Sequence, residues 1–289
     1  MLIAIENEHI KATFATKGAE LQSVSGVHSS TEYLWSGDPK FWGKFSPVLF
    51  PIVGALKDNT YFYQGQAYTL PRHGFARDME FDCRQVSEHE ILFTLRHSEE
   101  TLKIYPFEFR LNLRYRIFGA SLCCTYEVHN PANQELLFSI GAHPAFAAPL
   151  NQQGSYTDYS LQFNQDRELV YHHIVANLIS DQTSVLALPD GKLDLKHELF
   201  YDDALVLKQL QSNEITLMNS KNYNGLTFKF EGFPYFGIWA AKDADFVCLE
   251  PWCGIADALD SDQQLATKEG IQQLAPQGNW ERTWKVTFF

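Results

Sequence analysis

Apolar and polar residues alternate along much of this 289-residue chain, and the alternation limits what the chain can fold into. Over residues 111–117, and again over residues 122–128, every second residue is apolar or aromatic, and the turn sequence F-G-A-S lies between the two runs. A period of two turns one face of a β-strand towards a core. The segment is therefore predicted to form a β-hairpin with one buried face.

The same alternation recurs at residues 61–70 around Q-G-Q, at residues 90–96, and at residues 226–230 after N-G. Helical patterns are scarce. The candidates are residues 39–44, with Asp38 as the cap and Pro39 in the first turn, and part of residues 260–274. Many short strands with few helices are typical of an antiparallel β-sandwich, so the predicted fold class is all-β. No linker divides the chain, and a single domain over residues 1–289 is expected.

The charge balance argues against a nucleic-acid partner. The chain has 23 Lys and Arg against 35 Asp and Glu, a formal charge of −12, and no stretch gathers the clustered cations that a phosphate backbone requires. The opening sequence M-L-I-A-I-E-N-E-H lacks the features of a signal peptide, and no apolar run is long enough for a membrane helix. A soluble cytoplasmic protein without a membrane partner is expected, and the sequence indicates no oligomeric state.

Five cysteines form an odd set without the paired spacing of a metal site: Cys83, Cys123, Cys124, Cys248 and Cys253. Reduced thiols in a cytosol are expected, and no structural metal is predicted. The common signatures G-x-S-x-G, G-x-x-x-x-G-K-[ST], G-x-G-x-x-G and H-E-x-x-H are absent. These absences remove several large enzyme classes.

Two histidines lie in segments that suit chemistry. His73 lies in L-P-R-H-G-F-A-R-D (residues 70–78), where the following glycine leaves room for a ligand and Arg72 and Arg77 supply positive charge. His143 ends the apolar run F-S-I-G-A-H-P-A-F (residues 138–146), and Pro144 restricts its backbone to an extended form. The alternative for each is structural: a turn histidine bonded to a carbonyl, or a packed histidine at a strand end.

Glu250 lies in F-V-C-L-E-P-W-C-G (residues 246–254), after four largely apolar residues. Loss of water raises a carboxyl pKa and makes the group a better base near neutral pH. The alternative is a buried glutamate paired with Arg72 or Arg77. The spacing of Glu250 and the two histidines does not decide between metal binding and acid–base chemistry.

Several segments, in this order, resemble the aldose 1-epimerase (galactose mutarotase) superfamily, and in particular its LacX-like branch, related to glucose-6-phosphate 1-epimerases. They are G-A-E-L (18–21), Y-L-W (33–35) with Trp42, S-P-V-L-F-P-I-V-G (46–54), R-H-G-F-A-R (72–77), G-A-H-P-A-F (141–146), F-P-Y-F-G-I-W (233–239) and L-E-P-W (249–252). The resemblance covers nearly the whole chain. It implies a large twisted antiparallel β-sandwich.

The resemblance also implies acid–base catalysis without a metal or cofactor on a small-molecule aldose. Glu250 would be the base at the anomeric hydroxyl and His143 the acid at the ring oxygen, while His73 binds and polarises the sugar. The resemblance further implies an aspartate that holds sugar hydroxyls in the segment Y-D-D-A (residues 201–204), where Asp202 matches best and Asp203 is the alternative. Trp239 is predicted to stack on the pyranose, or else to belong to the core.

One departure concerns the substrate. The family usually carries an arginine in a G-R-I type segment, whereas this chain has Ala55 there, in G-A-L-K-D (residues 54–58). Arg77 or Lys57 is expected to replace that cation. The leading expectation is a mutarotase for a neutral hexose, since a phosphate is best held by several guanidinium groups. The alternatives are a hexose-6-phosphate 1-epimerase and a catalytically silent carbohydrate-binding or sensor protein.

Overall fold

Most of the regular secondary structure of the chain is β-strand. The structure is a computed structural model that describes residues 2–222 and 224–289. Met1 and Tyr223 lie outside the described residues. Met1 is the first residue of the segment that was compared with a signal peptide above. In the described part the strands are β1 (Leu2–Glu6), β2 (Ile10–Ala15), β3 (Leu21–Gly26), β4 (Val48–Leu49), β5 (Thr60–Tyr63), β6 (Gln66–Thr69), β7 (Asp82–Ser87), β8 (Glu90–Arg96), β9 (Arg110–Phe118), β10 (Ser121–His129), β11 (Leu136–Phe138), β12 (Ile140–Ala142), β13 (Ala145–Ala147), β14 (Tyr159–Phe163), β15 (Glu168–Val175), β16 (Leu178–Ala187), β17 (Lys192–Asp194), β18 (Leu205–Leu207), β19 (Glu214–Asn219), β20 (Gly225–Lys229), β21 (Tyr235–Trp239), β22 (Phe246–Cys253), β23 (Gln272–Leu274) and β24 (Asn279–Phe288).

Helices are few and short. The α-helix α1 runs over Glu99–Ile104, and short 3-10 helices cover Lys57–Asn59, Ala76–Asp78, Leu150–Gln152, Tyr156–Asp158, Pro189–Gly191, His197–Phe200 and Leu265–Thr267. Every helix in the described part of the chain is too short to serve as a membrane span.

The predicted hairpins are present. Strands β9 and β10 pair antiparallel, with Leu122 opposite Ile117 and Tyr126 opposite Leu113, and these four side chains are buried. Strands β5 and β6 form the hairpin predicted at residues 61–70. The strands predicted at residues 90–96 and 226–230 correspond to β8 and β20.

Two large antiparallel sheets form the sandwich. One has the order β17-β14-β19-β20-β24-β10-β9-β8-β7, and the other has the order β16-β15-β18-β21-β22-β12-β4, with β13 also paired to β22. Aromatic contacts join the two sheets: the ring of Phe228 in β20 lies 5.9 Å from that of Phe146 in β13 and 6.5 Å from that of Phe236 in β21. The prediction of a twisted antiparallel β-sandwich with few short helices is confirmed.

Both helical segments predicted from the sequence are wrong in detail. Residues 39–44 make one turn, in which the Trp42 N–H donates to the Asp38 carbonyl at 2.9 Å. The chain then leaves the helical turn, and the Trp42 ring stacks on His143, 4.9 Å away. In residues 260–274 a 3-10 turn is followed by β23, in which Leu274 pairs with Leu136 of β11.

The core contains residues from both ends of the chain. A single apolar cluster includes Ile5 near the start and Phe288 near the end. We therefore propose that residues 1–289 form a single domain. All five cysteines carry free thiols; the cytoplasmic location expected from them, like the expected lack of a nucleic-acid partner, stays a prediction.

Candidate active site

Glu250 lies in β22, a fully buried strand. Every residue of β22 is buried, and the Glu250 side chain is 2% exposed. Because side chains alternate along a strand, Glu250 and Trp252 point to one face, and both line a cavity there. Leu249 and Pro251 point to the other face. The strand therefore delivers a carboxyl group to a site with little water.

His143 is placed beside Glu250 by strand pairing. Strand β12 pairs with one end of β22, opposite Trp252 and Cys253, and β13 pairs with the other end, opposite residues 246–248. The two residues between β12 and β13, His143 and Pro144, therefore lie opposite the middle of β22, where the Leu249 N–H donates to the Pro144 carbonyl at 3.3 Å. A histidine and a glutamate 107 positions apart in sequence meet in this way.

The two side chains are within proton-transfer range. The Nε2 atom of His143 lies 3.3 Å from Oε2 of Glu250. Burial raises the pKa of Glu250 well above its usual 4.5; the charge of Arg72 opposes this rise and that of Asp203 adds to it. Burial also lowers the pKa of His143 from 6.5 to about 3, and Arg72 and Arg77 act in the same direction. Both groups are thus driven towards their neutral forms, because the desolvation of two charges outweighs their mutual attraction.

His73 faces the same cavity with a defined tautomer. The Gly54 N–H donates to His73 Nδ1 at 3.1 Å, so Nδ1 carries a lone pair and the ring proton lies on Nε2. Burial lowers the pKa of His73 well below 6.5, with His143 next in effect, so the ring is a neutral donor at pH 7. Its backbone φ is +68°, followed by Gly74 at +69°. A Cβ on Gly74 would lie 2.3 Å from the Phe50 carbonyl oxygen, so the position requires glycine.

These three groups line one cavity of about 270 Å³. The volume is near the lower end of the range for small-molecule sites, about 300–1,000 Å³. The residues that line it are Trp42, Val53, Gly54, Arg72, His73, Arg77, His143, Ile174, Asn177, Ile179, Ala204, Val206, Trp239, Glu250, Trp252 and Ala256. Five of the six residues predicted for the site, all except Asp202, therefore meet here.

Two arginines stand at the cavity wall. Arg77 donates from Nη2 to the Arg72 carbonyl at 2.8 Å, and Arg72 donates from Nη1 to Asn177 Oδ1 at 3.1 Å. Lys57, the alternative to Arg77, does not line the cavity, and its Nζ donates to the Ser261 carbonyl at 3.3 Å. Of the two residues expected to replace the family arginine, Arg77 lines the cavity and Lys57 does not.

The predicted aspartate lies elsewhere. Asp202 is exposed and lines a neighbouring cavity of about 240 Å³, which Asp203 also lines. The two cavities share Ile174 and Ala204 as walls. Asp203 is half-buried and close enough to raise the pKa of Glu250, whereas no such effect comes from Asp202. Asp203, the second choice from the sequence, is therefore the aspartate whose charge acts on Glu250.

Aromatic rings form the remaining wall beside His143. Trp42 stacks on the imidazole at 4.9 Å, and Trp239 meets it edge-on at 5.6 Å. Trp239 also packs on Phe246 at 5.8 Å, so it serves both the core and the cavity. The sequence analysis placed Trp42 among the segments that resemble the family but not among the site residues, because its position beside His143 depends on a turn far from His143 along the chain.

Cys248 was also missed as a neighbour of the acid–base pair. Its thiol, a His143 ring nitrogen and a Glu250 carboxylate oxygen lie within 4.8 Å of one another, the one such group among residues 2–222 and 224–289. Zn²⁺ accepts donors of these three kinds. A metal ion there would occupy the atoms available for proton transfer, so metal binding and acid–base chemistry exclude one another at this pair. The expected absence of a metal stays a prediction.

A β-sandwich with a buried histidine–glutamate contact, in a cavity lined by aromatic and charged groups, has the chemistry to exchange protons with a small polar ligand. The chain belongs to the aldose 1-epimerase family, whose model, described as "Aldose 1-epimerase", matches residues 1–270.

Relatives and solved structures agree with this membership. The chain is 32% identical over 297 residues to the chromosomal protein LacX of Lactococcus lactis subsp. lactis, with 99% of each chain covered. It is 34% identical to a galactose mutarotase related enzyme of Lactobacillus acidophilus, with a TM-score of 0.95 and 100% and 97% of the two chains covered. A galactose mutarotase-like protein of Lactobacillus casei is 31% identical, with a TM-score of 0.90 and full coverage of both chains.

Proposed function

We propose that this protein is an aldose 1-epimerase that interconverts the α and β anomers of a hexose by acid–base ring opening at C1. The observation that carries the proposal is the buried contact of 3.3 Å between His143 Nε2 and Glu250 Oε2 at the wall of a sugar-sized cavity. An acid and a base so close together can reach two oxygens bonded to the same carbon, and in a pyranose O1 and the ring oxygen are both bonded to C1.

The pair shares one exchangeable proton, because its two pKa values are moved in opposite directions. The neutral form has the proton on Glu250, and the reactive form has a carboxylate at Glu250 and an imidazolium at His143. At 3.3 Å one proton transfer separates the two forms. The positive charge of Arg72 acts on both groups of the pair: it favours the carboxylate of Glu250 and disfavours the imidazolium of His143.

The reaction then needs proton transfers alone. Glu250 takes the proton from the anomeric hydroxyl while His143 donates its Nε2 proton to the ring oxygen; the bond from C1 to the ring oxygen breaks and a carbonyl forms at C1. After rotation about the C1–C2 bond, the hydroxyl on C5 attacks the other face of the carbonyl. His143 recovers its proton and Glu250 returns the other to O1. Each positioned acid or base contributes about 10²- to 10⁴-fold, so neither a nucleophile nor a cofactor is required.

The walls of the cavity suit a hexose. His73 supplies a neutral Nε2–H donor for the ring oxygen or a hydroxyl. Trp239 offers an aromatic face to the apolar side of the pyranose. We propose Asp203 rather than Asp202 as the group that accepts hydrogen bonds from sugar hydroxyls, because its charge acts on Glu250.

A hexose 6-phosphate is the second candidate substrate. Arg72 and Arg77 both line the cavity, and two guanidinium groups are what a phosphate dianion requires. Neither arginine forms an ion pair with a carboxylate inside the cavity; the salt bridge of Arg77 goes to Asp78, at 3.7 Å. The two arginines therefore support a phosphorylated hexose as substrate, whereas Ala55 in place of the family arginine argues for a neutral hexose. A silent sugar-binding protein is less well supported, because recognition does not need a matched acid and base.

The decisive experiment compares the wild-type protein with Glu250→Gln. Anomer exchange of galactose, glucose and glucose 6-phosphate is followed by polarimetry and by saturation-transfer NMR. We expect the rate with the preferred sugar to fall by at least about 100-fold in Glu250→Gln, because the amide cannot accept the proton. Glu100→Gln, on the exposed face of α1, is the matched control and should retain the wild-type rate. A wild-type rate in Glu250→Gln would remove Glu250 from the mechanism.

A further inference from the structure

A buried ion pair lies close to the site but outside the cavity. The Nζ atom of Lys268 lies 2.6 Å from Oδ1 of Asp257, and the two side chains are 4% and 3% exposed. Buried ion pairs seldom add net stability, since both charges lose their hydration, and lysine is rarely buried at all. The contacts of the pair point to a role beyond stability.

Asp257 is bonded twice to the segment 54–57. Its second carboxylate oxygen, Oδ2, accepts from the Lys57 N–H at 2.9 Å. Its own N–H donates to the Ala55 carbonyl, also at 2.9 Å. Lys268 fixes the carboxylate from one side, so that the other oxygen points at the Lys57 backbone, and a bond to a charged acceptor is stronger than one to a neutral acceptor.

The same segment holds the ring of His73. The Gly54 N–H donates to His73 Nδ1 at 3.1 Å, and the His73 N–H donates to the Gly54 carbonyl at 2.8 Å. A continuous series of contacts therefore runs from Lys268 through Asp257 and the segment 54–57 to His73.

The segment has little room to shift. Gly54 has a φ of +72°, and a Cβ added there would lie 2.4 Å from the Cβ of Ala256. The backbone at Gly54 thus packs directly against residue 256, the neighbour of Asp257. A displacement of residues 256–257 moves the donor that faces His73 Nδ1.

We propose that Asp257 and Lys268 are positioning residues, whose ion pair holds the Gly54 N–H against His73 Nδ1 and so keeps the His73 proton on Nε2, facing the sugar. The inference rests on the proposed function, in which His73 donates to the substrate. Without the anchored donor, the neutral imidazole is free to take either tautomer, and the Nδ1–H form would present an acceptor where the sugar needs a donor.

The test measures the tautomer directly and activity separately. In protein labelled with ¹⁵N, long-range ¹H–¹⁵N NMR distinguishes Nε2–H from Nδ1–H imidazole, and a His73→Gln sample assigns the signals. The wild-type protein should show the Nε2–H form alone. The double variant Asp257→Leu/Lys268→Met replaces the pair with apolar groups of similar size, a change that buried ion pairs often tolerate. In it we expect both tautomers and a fall of about 3- to 10-fold in kcat/KM, the range for loss of one hydrogen bond.

Two further variants separate positioning from general destabilisation. Asp257→Asn/Lys268→Met restores an acceptor for the Lys57 N–H and should recover part of the Nε2–H population. Arg114→Met breaks ion pairs with Glu90 and Glu127 in the other large sheet and should leave the His73 signals unchanged.

The outcomes are distinct. A pure Nε2–H signal in the folded Leu/Met variant would overturn the proposal. If that variant does not fold, Gly54→Ala displaces the same donor through the contact with Ala256, and an unchanged tautomer there would overturn it equally. If the wild-type protein catalyses no anomer exchange, the proposed function fails, but the NMR signals still report whether the ion pair fixes the ring.

Discussion

Replacing His143 with glutamine should make the protein less sensitive to acid. Burial lowers the pKa of His143 from 6.5 to about 3. Between these two values the unfolded chain takes up a proton at His143 that the folded chain does not. The stability that depends on a neutral His143 is therefore fully present above pH 6.5 and is lost as the pH falls towards 3. Glutamine does not titrate, so the variant lacks this loss.

The size of the effect follows from the same shift. Each pH unit below 6.5 removes about 1.4 kcal/mol of unfolding free energy for one proton. At pH 5, the wild-type protein should have lost about 2 kcal/mol through His143, relative to pH 7.5.

The assay is urea denaturation of wild type and His143→Gln at pH 7.5 and pH 5.0. For each protein, the unfolding free energy at pH 5.0 is subtracted from that at pH 7.5. The two losses of unfolding free energy are then compared. Titration of His73 is present in both proteins, so the difference between them reports His143 together with its coupling to Glu250. The loss should be smaller in His143→Gln by about 2 kcal/mol. His28→Gln, at an exposed surface position, is the control and should follow the wild type. Equal losses in His143→Gln and wild type would refute the assignment of a buried neutral histidine.

Two predictions concern activity. Because burial raises the pKa of Glu250 and lowers that of His143, the rate of anomer exchange measured by polarimetry should be flat through neutral pH and fall on the alkaline side, once Glu250 loses its proton; an acid limb centred near pH 6.5 would contradict the shift at His143. Asp203→Asn should lower kcat/KM by about 10-fold or more, the scale of a hydrogen bond to a charged group. Asp202→Asn should change kcat/KM by less than about 2-fold. The opposite order of effects would identify Asp202 as the residue that binds the sugar.

Local patterns were enough to predict several hairpins and strands and to select three site residues. Period-two alternation identified the hairpin of β9 and β10 because burial of one face is a property of consecutive residues. Glu250, His143 and His73 were selected because each is an ionisable residue in an apolar or glycine-marked segment. The short helices were located less well, because the turn at Trp42 and the strand at Leu274 are fixed by partners far along the chain.

By itself, the sequence determined the all-β fold class, the acidic surface charge and the segments that carry His73, His143 and Glu250. Tertiary structure alone decided how these segments meet. Pairing of β12 and β13 with the two ends of β22 places His143 at 3.3 Å from Glu250, and Asp257 reaches Lys57 across 200 residues of sequence. Such contacts depend on strand register and loop path, and no local window of sequence encodes the distance between two residues that are brought together by other strands.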